Sequence, residues 1–138
     1  MAKYVIKEGT VTVNNVDLSD HVRAVDVNMV KDEVEATGLN GPGLHQYLPG
    51  LARESFVFTF ASDFDSGKVD ATLFPLYRNE SIFLVSVTPF QLPITSSNPN
   101  FTARCQLFNY DPLNGQVGAL AETQVTMIAT EAIVKYTT

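Results

Sequence analysis

The chain has 138 residues, of which 45% are hydrophobic and 17% are charged, and its formal net charge is −6. This length suits a single domain spanning residues 1–138, and the composition is typical of a folded globular protein rather than a disordered chain. The 9 basic residues are scattered singly along the chain, which disfavours tight binding to nucleic acid.

Alternation of apolar and polar residues predicts β-strands along most of the chain. In the segment 22–30, one face carries Val25, Val27 and Met29, while Asp26 lies on the opposite face. The strands predicted from this pattern are 10–13, 22–30, 55–61, 82–88, 101–110, 123–130 and 132–137.

Residues 31–54 interrupt the alternation, and we predict a long loop there. Glycines and prolines recur through the segment and disfavour a regular element. Loops of this length are uncommon in compact domains unless they are functional or disordered. This one carries apolar side chains that would be costly to leave in water, so we expect them to pack against a neighbouring subunit. The candidate inter-subunit contacts are Leu39, Leu44, Tyr47, Leu48 and Leu51.

A helix is predicted around residues 66–77. Val69, Leu73, Leu76 and Tyr77 recur there at helical spacing, and Asp65 or Ser66 could cap the N-terminus. Pro75, further along, should kink or end the helix. The predicted fold is therefore mainly β, a β-sandwich or rolled sheet of about seven or more strands with one flanking α-helix.

The residues that could carry chemistry are few. Cys105 is the single cysteine, which excludes an intramolecular disulfide and a thiolate metal cluster, and its place in an alternating strand predicts burial. His21 and His45 are the only histidines. No phosphate-binding glycine motif or nucleophile motif occurs. We therefore expect no catalytic residue, no metal and no cofactor.

The sequence was also compared with the patterns of signal peptides and membrane-spanning segments. The first residues have no signal-peptide pattern. No apolar run approaches the roughly 20 residues that span a bilayer. We expect a protein that is made in the cytoplasm and is not inserted into a membrane.

Several segments resemble, in order, the major tail proteins of long-tailed bacteriophages. The segment 16–22 (VDLSDHV) resembles the "gvdlSdhv" opening common in that family. Each of these segments is weakly specific alone, but together they extend over nearly the whole chain. The further matching segments are 33–38 (EVEATG), 47–51 (YLPGL), 56–60 with Asp63 and Phe64, 69–73 (VDATL), 97–99 (SNP), Tyr110, Gly118 and a terminal strand.

The resemblance implies a structural virion protein and not an enzyme. Members of the family form rings, usually hexameric, that stack into a hollow tail tube through which double-stranded DNA passes. The loop 31–54 would then reach an adjacent subunit or ring, and Asp26 is the candidate lumen-facing carboxylate. The implied partners are further copies of the chain, a tape-measure protein and a tail terminator, with assembly in the host cytoplasm and a final location in the virion.

Three alternatives remain at this point. The chain could be another protein of the tube fold, such as a tail completion protein or a type VI secretion tube subunit. It could be a β-sandwich binding module whose long loops hold a ligand. It could also be an enzyme, in which case Asp20, His21, Asp63 and Asp65 should converge in space.

Overall fold

A computed structural model describes residues 3–39, 41 and 43–138. Within them the chain forms eight strands, one α-helix and one short 3₁₀ turn. In chain order these are β1 (Thr10–Val13), β2 (Val16–Asp17), the 3₁₀ turn (Ser19–His21), β3 (Val22–Glu35), β4 (Tyr47–Ala61), α1 (Val69–Arg78), β5 (Ile82–Thr88), β6 (Asn100–Leu107), β7 (Glu122–Ala129) and β8 (Val134–Tyr136).

All eight strands belong to one antiparallel sheet with the order β2-β1-β5-β6-β7-β4-β3. The strand β8 lies off this path and pairs with Asn100–Thr102 at the start of β6, whereas β7 pairs with Cys105–Leu107 at its end. The last two strands therefore follow one another along β6.

The sheet is rolled around a core on one of its faces. Phe56, Phe58 and Phe60 of β4 are fully buried in this core. A cavity of about 480 Å³ is lined by residues of both β1 and β3, including Val11 and Val25, although these strands lie far apart in the strand order. Such proximity requires the sheet to curl on itself. The predicted mainly β fold is confirmed, in its rolled-sheet form.

The helix covers the core through Val69, Leu73 and Leu76, as the sequence spacing predicted, whereas Tyr77 of the same predicted face is exposed. It begins after Lys68, which makes no side-chain capping hydrogen bond, so the predicted capping by Asp65 or Ser66 is wrong. The Asp63 carbonyl instead accepts the first-turn N–H of Asp70 at 3.1 Å. This contact satisfies a backbone donor that would otherwise lack a partner.

The predicted loop 31–54 is wrong over much of its length. The strand β3 continues to Glu35 and β4 begins at Tyr47, so only 36–46 connects them. The two strands pair continuously from Val22↔Phe60 to Glu35↔Tyr47, with local register shifts. Pro49 and Gly50, which lie within β4, therefore do not prevent strand formation.

Candidate assembly surface

A two-stranded hairpin projects from the sheet, and we call its residues 29–53 the arm. The strand β7 pairs with β4 only along residues 55–61, so none of the described strands lies beside the arm as a third strand. Every described residue of the arm is exposed. At its base, the Glu54 carboxylate accepts the N–H of Ile133 at 2.7 Å, which ties the hairpin to the segment before β8.

Gly50 allows the two strands of the arm to remain paired across a β-bulge. The register shifts between Lys31 and Glu33, where β4 contributes an extra residue. A Cβ atom at Gly50 would lie 2.9 Å from Val34 Cγ2 and 3.0 Å from Asp32 Cβ. The glycine is therefore needed for close packing at a β-bulge, which explains why it does not mark a loop here.

Side-chain hydrogen bonds order the connection at the tip of the arm. The Glu35 carboxylate accepts from Thr37 Oγ1 at 3.1 Å and lies 2.7 Å from His45 Nδ1. The Gln46 N–H donates to Thr37 Oγ1 at 3.0 Å, and the Ala36 N–H donates to the Gln46 carbonyl at 2.8 Å. These contacts give the described part of the tip a defined geometry.

The arm displays apolar side chains that the domain does not cover. The predicted contact residues are all strongly exposed, from 54% at Tyr47 to 102% at Leu39. The structure adds Met29 and Val30, which the sequence prediction did not include among the contacts, and Val34, one of the apolar residues of the predicted loop, is exposed as well. Because Val34 pairs with Leu48, these two exposed apolar side chains lie side by side on one face of the arm. Alternate residues of β3 share a face, so Val30 lies on the same face but is separated from them by Asp32. The exposed apolar residues predicted as contacts are Leu39, Leu44, Tyr47, Leu48 and Leu51.

The strand β3 also offers an unpaired edge. In the part of the chain that the structure describes, no strand pairs with the outer edge of β3, which is 14 residues long. Such an edge presents a row of free N–H and C=O groups that can pair with another chain. Asp26 is exposed on this strand, on the face opposite to the half-buried Val25 and Val27.

Three side chains of the enzyme hypothesis converge, and Asp65 joins them through its backbone only. His21 lies between two carboxylates, with Nδ1 at 2.8 Å from Asp20 Oδ1 and Nε2 at 2.7 Å from Asp63 Oδ2. The Asp63 carboxylate also accepts the backbone N–H of Asp65 at 2.9 Å. A general base or a metal ligand needs an imidazole nitrogen with a free lone pair, and both nitrogens of His21 are occupied. The arrangement suits a structural contact better than acid–base chemistry.

Three further observations concern metal ligands, the cysteine and membrane spans. Within residues 3–39, 41 and 43–138, no group of three or more His, Cys, Asp or Glu side chains is placed to hold a metal ion. Cys105 is buried, as predicted, and burial raises the pKa of its thiol to about 12. No helix in the described part of the chain is long and apolar enough to span a membrane.

Comparison with known proteins gives similarity in structure without similarity in sequence. Neither a protein-family model nor a curated protein sequence matches the chain. A chain of the native gene transfer agent virion superposes with a TM-score of 0.76 at 13% identity, over 96% of this chain and 98% of that one.

Two other solved structures are components of tails. A chain from the tail of an empty gene transfer agent particle, which has C6 symmetry, gives a TM-score of 0.68 at 14% identity, over 86% of this chain and 83% of that one. The SPP1 tail tube gives 0.69 at 11% identity, over 95% of this chain and 77% of that one. The chain therefore has the tail-tube fold that its sequence resemblance implied.

Proposed function

We propose that this chain is a structural virion protein that assembles into stacked hexameric rings and forms the hollow tail tube of a long-tailed bacteriophage. The observation that carries this proposal is the exposed apolar arm on a domain with the tail-tube fold. A sixfold ring is the simplest choice, since the structurally similar tail of the gene transfer agent has C6 symmetry.

The apolar side chains of the arm supply a reason to associate. Fully burying one leucine side chain contributes about 1.5–3 kcal/mol. Leu44, Leu48 and Leu51 are each more than half exposed, so a surface of a second copy that covers all three would contribute about twice that amount. Part of this gain offsets the loss of translational and rotational freedom on association.

The free edge of β3 is a second surface through which copies of the chain can associate. Pairing of this edge with a neighbouring copy satisfies its unpaired backbone groups and continues the sheet around a ring. Contacts between successive rings join unlike surfaces and do not close, so they extend into a filament. The arm, which projects from the sheet at the same strand, is placed to make either kind of contact.

The net charge of −6 supports passage of double-stranded DNA without tight binding. We propose that Asp26 is one of the carboxylates that line the lumen, because it is exposed on the polar face of the free edge strand. A tape-measure protein and a tail terminator, which set the length of such a tube, are the further partners proposed. Assembly would take place in the host cytoplasm and the product would be part of the virion.

Sedimentation velocity of two matched variants tests the role of the arm. Leu51 in the arm and Leu113 in the connection before β7 are 82% and 85% exposed, so an aspartate costs little in the isolated domain at either site. We expect Leu51→Asp to sediment as a monomer at concentrations where the wild-type protein and Leu113→Asp form large species.

Other outcomes would change the proposal. If Leu51→Asp and Leu48→Asp both assembled like the wild-type protein, the arm would not be an inter-subunit contact. If the wild-type protein formed single rings that never stack, a tail completion protein would describe it better than a tube subunit.

A further inference from the structure

The contact of His21 with two carboxylates has a specific chemical requirement. Both nitrogens of the imidazole lie within 2.8 Å of a carboxylate oxygen, one from Asp20 and one from Asp63. A neutral imidazole has only one N–H, so its other nitrogen would place a lone pair against a carboxylate oxygen. Only the imidazolium can donate to Asp20 and Asp63 together. The geometry is therefore that of a protonated histidine.

The position of this contact links two separate parts of the chain. His21 is the last residue of the 3₁₀ turn, and the next residue, Val22, is the first of β3. Asp63 lies just after β4 and just before the helix, 42 residues further along the chain. The imidazolium thus ties the beginning of the free edge strand to the connection that leads into α1.

The charged groups around His21 favour the same state. The hydrogen bond to Asp20, followed by that to Asp63, raises the pKa of His21 above its ordinary value of 6.5. The hydrogen bond from His21 lowers the pKa of Asp20, and the backbone N–H of Asp65, followed by His21, lowers that of Asp63. Lys68, at the start of the helix, adds positive charge near both carboxylates.

We propose that the Asp20–His21–Asp63 contact is a pH-dependent lock that orders the beginning of the free edge strand β3. The stabilisation by His21 is complete below pH 6.5 and is lost as the pH rises through the raised pKa of the folded state. The stabilisation by the two carboxylates is complete above pH 3.8 and is lost as the pH falls through their lowered pKa values. The lock is therefore fully formed between these two limits and opens as the pH rises through the raised pKa of His21.

The consequence for assembly rests on the proposed function, because β3 carries the edge that would pair with a neighbouring copy. A disordered start of β3 shortens the template for pairing, so ring formation should weaken at alkaline pH. The lock itself belongs to the single chain. It can therefore be tested on unassembled protein, where a failure of the lock and a failure of the tube proposal are distinguishable.

The test is hydrogen exchange on dilute, monomeric protein from about pH 5 to about pH 9, a range that brackets the titration of histidine. Exchange protection factors, corrected for the intrinsic effect of pH, are compared between the first residues of β3 and those of β5. We expect protection at the start of β3 to fall by about tenfold or more at the alkaline end while β5 remains unchanged. In His21→Gln, protection at the start of β3 should be low at every pH, and His45→Gln is the matched control at an exposed histidine of the arm.

A second measurement keeps the proposal falsifiable if His21→Gln folds poorly. The NMR titration of the His21 ring is compared between the wild-type protein and Asp63→Asn, which retains the shape of the side chain and removes its charge. We expect a lower titration midpoint in the variant, because the carboxylates of Asp20 and Asp63 both raise the pKa of His21 and the variant loses one of them. An unchanged midpoint, or parallel loss of protection in β3 and β5, would overturn it.

Discussion

Replacing Gly50 by alanine should separate assembly from folding. The new methyl group would lie 2.9 Å from Val34 Cγ2 and 3.0 Å from Asp32 Cβ, with the Asp32 carbonyl oxygen at 3.3 Å. Carbon atoms in contact prefer separations of about 3.5–4.0 Å, so the strands of the arm must move apart by about 0.5–1 Å. Overpacking costs about 1–3 kcal/mol in a buried core, and we take this range as an upper limit for the exposed arm.

The cost should fall on the arm and not on the domain. No described residue of the arm is buried, and the core lies in other parts of the sheet and in the helix. We therefore expect the midpoint of thermal unfolding, followed by circular dichroism, to change little. If assembly requires the paired arm, a loss of about 1 kcal/mol would raise the concentration at which large species form by about fivefold, and a loss of about 3 kcal/mol would raise it by about 150-fold.

Sedimentation velocity over a concentration series measures that threshold. Gly38→Ala is the matched control, because a Cβ atom at Gly38 would meet no atom within 4 Å. The control should assemble at the concentration of the wild-type protein. Assembly of Gly50→Ala at that same concentration would refute the role given to the arm. So would a fall in its midpoint of thermal unfolding as large as that of a core variant.

Three further predictions concern the domain itself. Phe58→Ala empties the centre of a fully buried row of three phenylalanines and should cost about 3–5 kcal/mol in urea unfolding; a loss below about 1 kcal/mol would contradict the described core. Cys105 should resist thiol reagents at neutral pH until the protein unfolds, because the thiol is buried and its pKa is raised to about 12; rapid labelling of native protein would contradict this. Asn98→Ala removes a buried amide that hydrogen-bonds with four backbone groups within residues 90–93, so limited proteolysis should cut this connection faster. An unchanged rate of cutting would show that the amide is dispensable.

The regular strands were predictable because one of their faces is buried. The alternation predicted 82–88, and β5 spans Ile82–Thr88 with Phe83, Val85 and Val87 in the core. Helical spacing likewise identified Val69 and Leu73 as the face of α1 that packs on the sheet. In such segments burial imposes a period on the sequence, and the period can be recognised.

The arm could not be predicted in this way because neither of its faces is buried by the domain. With no core to face, residues 31–35 and 47–54 carry no clear alternation, and Pro49 and Gly50 suggested a loop. The structure instead places Pro49 on a strand with a free edge and Gly50 at a bulge, where each is tolerated. The apolar side chains Leu48 and Leu51 nevertheless indicated a surface that needs a partner.

The sequence identified the residues of the His21 contact but not their arrangement. Asp20, His21 and Asp63 were candidates for an enzyme site, and they do meet. Their meeting depends on how β4 returns beside the start of β3, which local spacing does not specify. The occupation of both imidazole nitrogens, which favours a structural contact, is visible only in three dimensions.

The central claim is that copies of this chain assemble into a hollow tube. Negative-stain electron microscopy of the purified wild-type protein at high concentration tests it most directly. We predict rings with a central lumen that stack into tubes as the concentration rises. A monomer at every concentration, with no ring or hollow particle in any field, would contradict the account.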